Sequence, residues 1–169
     1  MNELQKEIAY YNSLNVEFTD FIDLTENIEL SDGYVYLVCT EKNPAIPEKK
    51  YVPGYEFIIC KGAEKVGYIH LRIGYSERLY YGGQIGYGVH EKHRGNGYAV
   101  SACRLLEPVA KAHGMTKLLI TNNHTNTASR RVCEKLGAKF LRTVAIPEWH
   151  DLYKEGQRHE NIFEWSFSV

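Results

Sequence analysis

The stretch Arg94-Gly95-Asn96-Gly97-Tyr98-Ala99 gathers the residue types that hold a phosphate. Arginine supplies a planar, permanently charged fork matched to phosphate oxygens. Glycine lets the chain turn sharply and lets a ligand come close. The first amides of a helix have no intrahelical partner and lie at the positive end of its dipole, so an anion there needs few side chains. The string lies between a strand-like run, Tyr80–His90, and a helix-like run, Asn96–His113. A P-loop requires Gly-x-x-x-x-Gly-Lys-Ser/Thr, which this sequence lacks, and a Rossmann fingerprint requires a third glycine where Val100 stands.

The flanking elements must position this string. In a strand over Tyr80–His90, Tyr81, Ile85, Tyr87 and Val89 share one face with Gly83. Gly82, Gln84, Gly86, Gly88 and His90 share the other, which is nearly bare of side chains. Such a face marks either the close approach of a ligand or a helix packed tightly on the sheet. Ala99, Ala102, Cys103, Leu106, Val109 and Ala110 follow helical spacing, with Gly114 placed to stop the helix. Lys117–Thr121 is then a short buried strand, and strand, helix, strand in this order reads as a parallel β-α-β unit. Asn126 or Thr127 caps a second helix that ends at Gly137.

Elsewhere, residues 2–13 read as a helix with Leu4, Ile8 and Tyr11 on one face, and Asp20–Glu29 is ambiguous. Tyr34–Thr40, Tyr55–Cys60 and Val66–Ile73 read as strands, the last two joined in a hairpin through Lys61-Gly62-Ala63-Glu64. Phe140–Ala145 and Ile162–Phe167 read as the final strands, separated by a polar loop, Pro147–Glu160, and Glu41–Gly54 is a second polar loop. The class is mixed α/β.

With 169 residues, 44% hydrophobic and 24% charged, the chain reads as one domain, 1–169. A net charge of -1 argues against general nucleic-acid binding. Cys39, Cys60, Cys103 and Cys133 are irregularly spaced, without Cys-x-x-Cys, and read as reduced thiols. His90 and His93 lack the further ligands a zinc site needs, so no metal is expected. Without a signal-like start or an apolar run near the roughly 20 residues of a membrane span, the expectation is a cytoplasmic protein with no membrane partner.

The 94–99 string fits Gln/Arg-x-x-Gly-x-Gly/Ala at every position, and Tyr87-Gly88-Val89 stands just upstream. Downstream are Asn126-Thr127-Ala128-Ser129 and Glu134-Lys135-Leu136-Gly137. Together these resemble the GNAT superfamily of acetyl-CoA-dependent N-acetyltransferases, well over residues 55–145 and poorly over the N-terminal third, whose first 30 residues (1–30) have no assigned role. The resemblance implies a mixed sheet of about six to seven strands, antiparallel at the start, with a central splayed parallel pair and helices on both faces. It implies that the amides of Arg94, Gly95, Asn96, Gly97, Tyr98 and Ala99 hold the acetyl-CoA pyrophosphate. The backbone of Tyr87, Gly88 and Val89 would pair with the pantetheine arm, and Asn126 would hydrogen-bond the cofactor. A homodimer is also compatible with the family.

Acetyl transfer needs a neutral amine, a donor for the tetrahedral oxyanion, and a proton for the departing thiolate. The Val89 backbone amide is the candidate oxyanion donor. Many relatives place a tyrosine seven residues after the helix asparagine, where this chain has Cys133, read either as a proton donor or as a packing residue. Some relatives carry a glutamate on the strand after the long helix; Thr121 stands there instead. Gln84, His90 and a water relay remain candidate bases. The expected activity is transfer to an amine of a small molecule or peptide by direct attack. The alternative is a non-catalytic acyl-CoA-binding module.

Overall fold

The structure, a computed structural model, describes residues 1–25 and 28–167. Glu26 and Asn27, inside the ambiguous Asp20–Glu29 stretch, lie outside the described residues, as do Ser168 and Val169. In chain order the elements are α1 (Glu3–Ser13), β1 (Tyr36–Asn43), β2 (Gly54–Lys61), β3 (Glu64–Arg72), α2 (Glu77–Gly82), β4 (Ile85–Val89), α3 (Tyr98–Ala112), β5 (Lys117–Asn123), α4 (Thr127–Leu136), β6 (Lys139–Ala145), α5 (Asp151–Lys154) and β7 (His159–Ser166). They fall into two compact units. A four-stranded unit holds residues 16–74 and 85–116; a three-stranded unit holds residues 1–15, 75–84 and those from Lys117 onward.

In the four-stranded unit the order is β1-β2-β3-β4, every pair antiparallel. Phe57, Ile59, Ile69 and Leu71 are buried on one face, and α3 packs against β1, β3 and β4 with Ala102, Cys103, Leu106, Val109 and Ala110 fully buried. The opposite face leaves Tyr36, Val38 and Tyr68 exposed, so the expectation of helices on both faces does not hold for this sheet. β1 starts two residues later than the sequence suggests, because the Asp32 carboxylate accepts hydrogen bonds from the backbone N–H of both Tyr34 and Val35 and closes a turn there.

In the three-stranded unit the order is β5-β7-β6, again all antiparallel. Asn122, Asn161 and Phe163 face α4, whose Arg130 lies over the Phe140 ring. Thr121, Glu160 and Glu164 face the other way, toward α1 and α2, where the Tyr11 hydroxyl donates to Glu164. Helices therefore cover both faces here.

Three expectations are corrected. First, the run Tyr80–His90 is not one strand. Ser76 caps a helix by accepting from the Leu79 N–H at 3.2 Å, and Leu79, Tyr80 and Tyr81 are buried as helical residues. Gly83, at φ 75°, ends it, and only Ile85–Val89 is strand. Second, among the described residues the strand ladders within both sheets are all antiparallel. β4 edges one sheet and β5 edges the other, and β5 takes antiparallel β7 as its ladder partner. What β5 gives on its other side is local: the Gln84 N–H donates to the Leu119 carbonyl at 2.9 Å, and the Leu119 N–H donates to Gln84 Oε1 at 2.6 Å.

Third, the bare glycine face of β4 is filled from within the sheet. Gly86 pairs with His70 and Gly88 with Tyr68, and both rings lie over the glycines so closely that a Cβ at either position would clash with them. Burial in this contact pushes the His70 imidazole down to about 4. These glycines make room for cross-strand rings.

Candidate active site

In the four-stranded unit, β4 runs into a tight turn ahead of α3. The His90 N–H closes onto Val66 O at 2.8 Å, ending the ladder, and residues 91–93 make one 3-10 turn. Arg94 then folds back, its Nε donating to Val89 O at 3.0 Å. That bond orients the guanidinium beside β4 and leaves its terminal nitrogens for an anion. Gly95 and Gly97 take φ 85° and 76°, left-handed conformations that other residues adopt only with strain. The Asn96 side chain donates to His93 O at 3.0 Å, which braces the turn.

Helix α3 opens at Gly97 with no side-chain cap, whereas Asn2, Ser76, Asn126 and His150 cap α1, α2, α4 and α5. A 15-residue helix has its full dipole behind those amides. The uncapped start, the two left-handed glycines and Arg94 thus lie together at residues 94–99. Tyr98 is half-buried and Ala99 is buried, which anchors the helix start. Tyr87, Gly88 and Val89 lie on β4, the edge strand, so alternate backbone groups point away from β3. His90 is exposed, just past the end of that strand.

The remaining candidates lie in the three-stranded unit. Gln84 is fully buried in the turn between α2 and β4, and its carboxamide oxygen is engaged with the Leu119 N–H. Asn126 caps α4, its Oδ1 accepting from Ser129 N–H at 3.1 Å. Cys133, on α4, is fully buried at the end of a polar chain: Thr143 donates to Asn161, Asn161 to Asn122, and Asn122 Nδ2 to Cys133 Sγ at 3.6 Å. Burial pushes this thiol up to about 12, well above an ordinary cysteine.

One residue absent from the sequence reading stands out. Glu160 is 1% exposed, its carboxyl hydrogen-bonds the Thr121 side chain, and among the described residues Oε1 has no hydrogen-bond partner. Burial lifts it to about 8, because the charged form has lost its water. Burial, then the Glu77 carboxylate and then this carboxyl raise the nearby Tyr81 phenol. The sequence placed Glu160 at the end of a polar loop, whereas β7 begins at His159. The available signal was spacing: Glu160 stands two residues before the fully buried Ile162 and so shares its face.

The Acetyltransferase (GNAT) domain family matches residues 17–139. No curated protein matches the chain in sequence. Among solved structures, the fold is similar to the microcin C7 self-immunity acetyltransferase MccE in complex with acetyl-CoA and AMP. That match has 15% identity over 68% of this chain and 61% of the other, with a TM-score of 0.52. RimL, a ribosomal-protein α-N-acetyltransferase in complex with coenzyme A, matches at 16% identity over 71% of this chain and 64% of its own, with a TM-score of 0.53. An acetyltransferase from Salmonella typhimurium that modifies the N-terminal serine of a 50S ribosomal subunit protein matches at 17% identity over 72% and 67%, with a TM-score of 0.54. The chain thus spans less than two thirds of the length of the first two. At these identities the structures show the fold, and the family match covers most of the sequence. The chain belongs to the GNAT acetyltransferase family.

Proposed function

We propose that this protein transfers the acetyl group of acetyl-CoA to an amine of a small molecule or peptide, by direct attack and without an acyl-enzyme. The observation that carries this reading is the uncapped start of α3 behind Gly95 and Gly97, with Arg94 turned back along β4. Acetyl-CoA supplies the activated thioester as co-substrate. The amides of residues 94–99 and the Arg94 guanidinium bind its pyrophosphate. The backbone of Tyr87, Gly88 and Val89 orients the thioester arm, with the Val89 N–H as oxyanion donor. Acetyl-CoA in MccE and coenzyme A in RimL support the choice of ligand. The N-terminal serine modified by the Salmonella protein supports a peptide amine among the acceptors.

Glu160 takes the role of general base in this reading. Some family members carry a glutamate where Thr121 stands, and here the Glu160 carboxyl reaches the Thr121 side chain from the neighbouring strand. Its free Oε1 is the acceptor for a proton, directly or through one water. A base held near 8 is matched to an ammonium group far better than an ordinary carboxylate. Gln84 is engaged in holding β5 and His90 lies in open solvent, so neither offers a comparable environment.

Cys133 is assigned to packing. A buried thiol near 12 is a weaker acid than the thiol it would serve. Cys133→Ala is therefore expected to leave kcat within about twofold at every pH. It should cost on the order of 1–2 kcal/mol of stability through the small cavity it opens, read by thermal denaturation beside the steady-state assay. A drop in kcat of tenfold or more would restore Cys133 as proton donor.

The absence of the family tyrosine favours one rival, a module that binds acyl-CoA without turnover. Free-thiol release from acetyl-CoA, followed across a panel of peptide α-amines, polyamines and amino sugars, separates the two. The proposal expects saturable release with at least one amine class. Binding of acetyl-CoA with no release above background across the panel favours the module.

A further inference from the structure

The turn ahead of β1 lies outside the 55–145 stretch that carries the sequence motifs, yet it is tied to the 94–99 loop at two points. The Tyr34 hydroxyl donates to the Asn96 carbonyl at 2.7 Å. The Asp32 carboxylate, besides closing its own turn, hydrogen-bonds Ser101 in the first turn of α3. Two neighbours hold the Tyr34 ring: Tyr98 at 5.4 Å between centroids, and the Lys61 ammonium 4.3 Å from the ring centroid. All these residues belong to the four-stranded unit.

The Asn96–Gly97 peptide is the bond that Tyr34 grips. A trans peptide is planar, with its C=O and N–H pointing in opposite directions, so fixing the Asn96 carbonyl also fixes the Gly97 N–H. That peptide is prone to flip, because Gly97 takes left-handed and right-handed backbone conformations at similar cost. A flipped peptide would present a carbonyl where an anion needs a donor.

We propose that Tyr34 is a positioning residue for the cofactor pyrophosphate, locking the Asn96–Gly97 peptide so that the Gly97 N–H faces the anion. The proposal rests on the acetyl-CoA reading above and extends it to a residue outside the phosphate motif. Lys61, on the Tyr34 ring, adds positive potential beside the same loop.

Tyr34→Phe keeps the ring and removes the hydroxyl, with its bond to the Asn96 carbonyl and its hydrogen bond to the Tyr98 side chain. The expected result is a rise in the acetyl-CoA Kd and KM of about threefold to tenfold, the range that a single hydrogen bond supplies. At saturation kcat stays within about twofold, and the amine KM is unchanged. Acetyl-pantetheine, which has the thioester arm without the pyrophosphate, provides the readout that general destabilisation would not spare. Turnover of that substrate should be equal in wild type and variant. Unchanged acetyl-CoA affinity in Tyr34→Phe, or an equal loss with acetyl-pantetheine, overturns the inference while leaving the acetyltransferase reading intact. Failure of the wild type to bind acetyl-CoA overturns both.

Discussion

Glu160→Gln is expected to lower kcat by on the order of 10²–10⁴-fold, the range attributed to a positioned general base. It should also remove the alkaline rise in rate. In the wild type the base is active only when ionised, so kcat/KM should climb with pH through about 8 and then level off. The glutamine variant should show a low rate without that limb. Stability gives an independent second readout. Below about pH 4.5 the carboxyl is protonated both folded and unfolded and has no effect on stability. Between that value and 8 the unfolded chain releases the proton while the folded chain keeps it, so wild-type stability falls as pH rises. Glutamine does not titrate, so the variant should melt at a nearly constant temperature over this window and above the wild type at pH 8. A variant with wild-type kcat and an unaltered pH profile would remove Glu160 from the chemistry. The loss of kcat without the change in melting behaviour would contradict the burial argument.

Gly67→Ala is the second large effect, and it acts through backbone. Gly67 on β3 pairs with Val89 on β4, and a Cβ there would fall on the Gly88 carbonyl oxygen and within 3.1 Å of the Val89 Cα. Neither atom can rotate away, so the two strands must separate. Overpacking of this kind costs roughly 1–3 kcal/mol, which for a chain of this length lowers Tm by roughly 3–10 °C. The displaced residues are Gly88 and Val89, so acetyl-CoA affinity should fall as well. Gly88→Ala is the matched control. Its Cβ meets the Tyr68 ring, which is 54% exposed and can swing into solvent, so the loss of stability should be clearly smaller. Equal melting temperatures for Gly67→Ala and wild type would mean that the β3–β4 pairing is looser than the register indicates.

Much of the local structure in both units was legible in the sequence. Gly114 and Gly137 mark the ends of α3 and α4, Asn126 caps α4, and the Lys61–Glu64 turn joins β2 to β3. These are short-range signals in which propensity and backbone conformation agree. The misreadings came where tertiary context decides. Tyr80 and Tyr81 fit a strand by composition, while the Ser76 cap, spaced three residues from Leu79, favours the helix that forms. Gly86 and Gly88 are bare because Tyr68 and His70 need the space, and that depends on a register set between strands. The division into two antiparallel sheets depends on β5 choosing β7, more than thirty residues on, as its partner. Glu160 was missed because a polar residue at a strand start looks like loop until its neighbours remove the water around it.

Calorimetric titration of the wild-type chain with acetyl-CoA tests the central claim most directly, since every role assigned here depends on that ligand. Saturable binding with one acetyl-CoA per chain, weakened in Arg94→Ala and competed by coenzyme A, is the predicted result. No saturable heat with acetyl-CoA, or affinity unchanged by Arg94→Ala, would contradict the account of the 94–99 loop as the seat of the cofactor's pyrophosphate.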